Sequence, residues 1–151
     1  MRSKITFLVI GVLITLIGLF IINNLRHEQS PLVPAFAPKP VEQILVNDVI
    51  TVPAEKYYQY SFALSRNATL TGDYKAFGGS GNDIRVLLMD EDSYINWTNG
   101  HQANMLYDSG KITVGQIDIP LGPGKYYLIF NNGFSLLSNK GVNAHLKLIY
   151  Q

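Results

Sequence analysis

The sequence predicts an all-β fold: an antiparallel β-sandwich with jelly-roll-like connections over residues 41–151, preceded by one N-terminal transmembrane helix. Three observations carry this. Beyond residue 40, apolar and polar residues alternate in short runs separated by Gly, Pro, Asn and Asp. No helical periodicity follows the N-terminal apolar segment. That segment, Ile5 to Ile22, is uncharged throughout.

Residues 1–4 carry Arg2 and Lys4 and are expected in the cytoplasm. Residues 5–22 read as a membrane span, since about eighteen residues at 1.5 Å rise give roughly 27 Å, close to the thickness of a bilayer's hydrocarbon core. The run exceeds the apolar region of a secretory signal peptide. The one Ala-x-Ala, Ala35-Phe36-Ala37, lies far beyond it and is followed by Pro38. An uncleaved signal anchor is therefore expected, with the C-terminal domain periplasmic or extracellular. Gly11, Thr15 and Gly18 fall near one face, although such residues are common in membrane helices generally. Residues 23–40, rich in proline, read as an extended tether.

The domain then divides into strand-like runs. Ile44–Val52 ends at Pro53. In Tyr57–Ser65, Tyr58, Tyr60, Phe62 and Leu64 share one face. Ala68–Phe77 enters the turn cluster Gly78–Asp83, and Ile84–Asp90 follows. Tyr94–Thr98, Asn104–Ser109 and Lys111–Leu121 come next. The turn Gly122-Pro123-Gly124 leads to Lys125–Phe130. Val142–Tyr150 closes the domain, with Val142, Ala144, Leu146, Leu148 and Tyr150 on one face and His145 and Lys147 opposite.

Composition removes several classes of function. A net charge of +1 gives no basic field, so no nucleic-acid partner is expected. The chain has no cysteine, hence no thiolate nucleophile and no cysteine metal site. His27, His101 and His145 lack triad or metal spacing, and no enzyme activity or cofactor is expected. Asp90-Glu91-Asp92 supplies about half the oxygens calcium needs and reads as a solvated turn. The segment "SYINWTNGHQAN" is aromatic and amide-rich. Its Tyr94, Trp97 and His101 are candidate ligand contacts, of the kind that stack on sugars or anchor protein interfaces. The alternative is that Trp97 or Tyr94 fills the core.

The stretch "FNNGFSLLSNKGVNAHLKL", Phe130 to Leu148, is too long for a tight hairpin. Asn131, Asn132 and Gly133 tolerate left-handed conformations and so permit a sharp turn. Their side chains can also bond backbone groups that have left the ladder. Phe134 is expected to point inward and plug the sandwich, Ser135 and Ser138 to cap loose amides, and Lys140-Gly141 to open the last strand. The same stretch resembles the C-terminal signature of GOLD domains at Asn132, Phe134, Ser135, Lys140 and Val142. "GGSGNDIRVLLMD" and Pro123-Gly124-Lys125-Tyr126 are similar to that family's upstream elements, so the likeness spans about Gly78 to Tyr150.

The resemblance implies a β-sandwich used for protein or lipid-associated binding rather than catalysis. The chain departs from the eukaryotic cargo receptors in lacking cysteines and heptads, and its apolar segment precedes the domain. A sorting role is therefore not carried over. The expected function is a membrane-tethered, extracytoplasmic binding or assembly module for a protein partner. The alternative is a carbohydrate-binding domain that uses the Tyr94–His101 loop.

Overall fold

The computed structural model describes residues 39–79 and 81–151. The expected anchor, and the tether up to residue 38, lie outside the described residues. Among the described residues no helix is long and apolar enough to cross a membrane.

Eight strands and one helix follow in order: β1 (Val41–Val52), β2 (Tyr57–Leu64), β3 (Ala68–Phe77), β4 (Ile84–Asp90), α1 (Glu91–Thr98), β5 (Tyr107–Ile112), β6 (Val114–Leu121), β7 (Gly124–Asn131) and β8 (Lys140–Tyr150). They form two antiparallel four-stranded sheets, β1-β8-β3-β6 and β2-β7-β4-β5. Every connection except β4–β5 crosses from one sheet to the other, the wrapping expected of a jelly-roll-like sandwich. The period-two patterning thus produces the expected antiparallel sandwich.

The core lies between the sheets. Val46, Ile50, Leu70, Tyr74, Ile117, Val142 and Leu146 of the first sheet meet Leu64, Ile84, Val86, Leu88, Leu128 and Phe130 of the second. The ring of Tyr74 sits edge-on to Phe130 across that interface, with centroids 6.2 Å apart. Burial pushes the Tyr74 phenol well above its ordinary range.

Two glycines set local geometry. Gly72, in the middle of β3, has φ 141°, and a Cβ there would lie 2.0 Å from the His145 carbonyl oxygen. Only glycine lets β3 and β8 approach so closely. Gly110, with φ 62°, lies within β5 at a bulge where the register against β4 shifts between Arg85 and Leu87. The strand expected to end at Ser109 runs on through this bulge to Ile112, and the strand expected over Lys111–Leu121 begins at Val114 as β6.

Tyr94–Thr98, expected as a strand, belongs to helix α1. Asp90 is the N-cap, its Oδ1 accepting from the Ser93 amide at 2.8 Å. Glu91 and Asp92 occupy the first turn, where the positive end of the helix dipole favours acids. Asn99-Gly100 ends the helix, with Gly100 at φ 74°. The acidic triplet is therefore the opening of a helix rather than a turn between strands. Helix α1 covers the outer face of the second sheet, forming a smaller core with Leu87, Met89, Tyr127 and Ile129. β4 is consequently buried on both faces from Val86 to Met89.

Candidate functional site

The crossover between β7 and β8 forms one end of the sandwich, beside the corner joining β1 to β2. Asn132 is its hub and is 0% exposed. Its Nδ2 donates to the carbonyls of Val52 at 3.1 Å, Pro53 at 3.1 Å and Ser138 at 2.9 Å. Its amide donates to the Lys56 carbonyl at 2.9 Å. Further bonds join corner to crossover: Glu55 amide to Ser135 carbonyl at 2.9 Å, and Ala54 amide to Asn139 Oδ1 at 3.1 Å. The end of the first sheet is thereby fastened to the exit of the second.

A second link closes the same end. Lys140, 1% exposed, faces inward at the start of β8 and its Nζ lies 3.0 Å from Asp83 Oδ1, just before β4. An ammonium this deeply buried requires a carboxylate or an equivalent set of acceptors.

Several expectations for this stretch are corrected. Asn131, Asn132 and Gly133 do not adopt left-handed backbone conformations. The turn is made by Asn131 Oδ1 accepting from the Gly133 amide at 2.7 Å. Asn132 bonds backbone groups outside the ladder as expected, and they are carbonyls, because its NH2 group faces them. Ser135 Oγ likewise donates to the Ser138 carbonyl at 3.1 Å instead of capping an amide. Phe134 does not plug the sandwich. It is half-buried, belongs to neither core cluster, and lies under Lys111, whose Nζ is 4.4 Å from the ring centroid.

The residues that leave the protein surface here are Leu136 and Leu137, 73% and 95% exposed. They form the tip of a loop whose flanks are hydrogen-bonded. Neither leucine is among the candidate contacts drawn from the sequence. Adjacent leucines inside a run of Asn, Ser and Gly were the available signal.

The second candidate region is built on α1. Tyr94 and Trp97 would point to opposite faces of a strand, but at a spacing of three they share one face of the helix. Tyr94 stacks on Tyr127 at 3.8 Å between centroids and 4° between planes. Its hydroxyl donates to Gln59 Oε1. Burial is the main cause raising the Tyr94 phenol above its ordinary value, followed by the hydroxyl of Tyr57. Trp97 meets Tyr57 edge-on at 5.0 Å and Tyr94 at 6.3 Å. Lys125 crosses the group, 2.6 Å from Glu91 and 5.4 Å from the Tyr127 centroid. The structure therefore brings Tyr94 and Trp97 together but spends much of both rings on neighbours. His101 is exposed beyond the end of the helix. Tyr57, 43% exposed, is the ring that this patch offers to solvent.

Arg85 of β4 grips Asp108 of β5 through two bonds of 2.9 and 2.6 Å, and this holds the Asp108 carboxyl below the usual carboxylate range. On the outer face of the first sheet, a shallow cavity of about 320 Å³ lies over Gly72, lined by Ile44, Asn47, Asp73, His145 and Lys147. His145 Nδ1 is 2.7 Å from Asn47 Oδ1 there, and Lys147 is 3.0 Å from Glu42. Among the described residues, no three His, Asp or Glu side chains converge to hold a metal ion. No protein-family model matches the chain, and no curated protein matches it in sequence.

Proposed function

We propose that this chain is a membrane-tethered, extracytoplasmic binding or assembly module of GOLD-like type, non-catalytic, that docks a protein partner through the β7–β8 crossover. The anchor is Ile5–Ile22 and the reach is set by the proline-rich tether. The carrying observation is the leucine tip. Burying a leucine side chain is worth about 1.5–3 kcal/mol, and Leu136 and Leu137 forgo most of that in the isolated domain. Their loop is held in place by Asn132, so little further ordering is needed when a partner covers them. Once covered by a partner, an apolar pair with polar surroundings has the apolar-centre, polar-rim anatomy of a protein interface.

The test is a photo-crosslinking residue placed at Leu137 in the full chain, in its own membrane. A discrete adduct with one protein is expected, absent when the probe stands at Lys75 on the outer face of the first sheet. Equal adducts at both positions would sink the proposal.

A carbohydrate-binding role is the second reading, supported by the exposed ring of Tyr57 beside Trp97. A glycan array probed with the full chain separates the two. Micromolar sugar binding lost in Tyr57→Ala, without crosslinking at Leu137, would favour this reading.

A further inference from the structure

A sandwich with two open sheets has four edge strands, here β1, β6, β2 and β5. Unpaired strand edges invite pairing with other chains, and proteins commonly blunt them with bulges, charges, proline or shortness. Three of these edges are blunted. β1 is broken by a register shift between Ile44 and Val46 and carries Glu42 and Asp48. β5 has six residues, the bulge at Gly110, and charged Asp108 and Lys111. β6 carries Asp118 and Pro120.

β2 has none of these devices. Its sequence, YYQYSFAL, contains no charge, proline or glycine. Its register with β7 is unbroken from Tyr57↔Asn131 to Leu64↔Gly124. Tyr57 and Tyr58 are 43% and 44% exposed, and Gln59, Ser61 and Ala63 are exposed as well. No hydrogen bond from β2 backbone to an element other than β7 is found among the described residues.

We propose that the β2 edge is a self-association surface, on which a second copy of this chain pairs its own β2 antiparallel. Two-fold pairing sets every residue against its symmetry mate, so a charged edge tends to oppose like charges. The absence of charge along β2 removes that obstacle. Matching of faces adds a second argument. In antiparallel pairing, opposed residues share a face, which restricts the register to sums of residue numbers that are even. Pairing about Tyr60 meets this condition. It sets Tyr58 opposite Phe62 on the inward side, and Gln59 opposite Ser61 with Tyr57 opposite Ala63 on the outward side. Aromatic cross-strand pairs of this kind are stabilising. The two four-stranded sheets join into one continuous sheet, and the two leucine tips then point in opposite directions along the strands.

The chain has no native cysteine, so one introduced thiol is unambiguous. Ser61→Cys is placed in the full chain in its membrane and treated with a short bifunctional thiol reagent. In this register the two introduced thiols are diagonal neighbours, about 7–8 Å apart, a span such a reagent bridges. A crosslinked homodimer is expected, at least tenfold above that from Asp118→Cys on the β6 edge. Equal linking at both positions would reflect collision of anchored chains and overturn the proposal, as would no linking at Ser61. Linking to a different protein would overturn it in favour of an extended partner segment. A second variant tests the pairing itself. Gln59→Lys with Ser61→Lys sets four lysines face to face across the pair, and the mass of the detergent-solubilised chain, read by light scattering, should fall from dimer to monomer while its far-ultraviolet β spectrum persists. An unchanged dimer mass overturns the proposal.

Discussion

The crossover end and the α1 face solve opposite problems. At the crossover, polar groups are turned inward, where Asn132 and Lys140 are buried, while Leu136 and Leu137 are held in solvent. At α1, Trp97 and Tyr94 are turned toward Leu87, Met89 and Tyr127, while Glu91, Asn96 and Asn99 face solvent. The second arrangement is what stability alone produces. The first costs stability at its tip, and the internal hydrogen bonds hold the costly residues in place. On the proposed reading this inverted polarity belongs to a docking surface, whereas α1 is a cover for the smaller core.

The largest test of that contrast is Asn132→Ala. Three strand-end carbonyls lose their donor, and a loss of about 3 kcal/mol in unfolding free energy is expected from urea titration. Asn132→Asp should be worse, because it aims a negative oxygen at the same carbonyls. An unchanged urea midpoint in Asn132→Ala would mean that the loop is held by other contacts. Next comes Tyr94→Ala, expected to cost about 2 kcal/mol through lost stacking on Tyr127 and exposure of the smaller core. If Tyr94 served only a ligand, melting would not move.

A smaller effect is expected from pH. Arg85 lowers the Asp108 carboxyl below its ordinary 3.8, so the pair contributes stability above that value and loses it as pH falls through the lowered one. Both side chains are partly exposed, which limits the contribution to about 0.2–1 kcal/mol. The difference between wild type and Asp108→Asn should therefore vanish at strongly acid pH. The smallest expected change is in Leu136→Ser with Leu137→Ser, within about 0.5 kcal/mol of wild type. A clear loss of stability there would show that the tip belongs to the fold rather than to a docking surface.

What the sequence revealed follows the reach of each signal. Strands with one wet face announce themselves by alternation, as in Val142, Ala144, Leu146 and Leu148 against His145 and Lys147. The uninterrupted apolar run in β4 reports cover on both faces, although nothing local names that cover as a helix. Helix α1 is masked in the sequence because Tyr94 to Thr98 also alternates and is rich in residues that favour strands. Its true markers were Asp90 ahead of Glu91-Asp92 and the closing Asn99-Gly100. The roles of Asn132 were only half legible. A hydrogen-bonding asparagine is expected in such a loop, but its partner Val52 is 80 residues away in the chain. Long-range partners leave no periodic trace.

The close approach of β3 to β8 at Gly72 has a use in tracing kinship. Surface positions of a sandwich can drift until overall likeness fades, but a strand centre that admits no side chain cannot. A glycine in mid-strand three, an amide residue after strand seven and an inward lysine opening strand eight together make a sparse geometric fingerprint. Distant kin can be sought by that spacing where alignment of whole chains is silent.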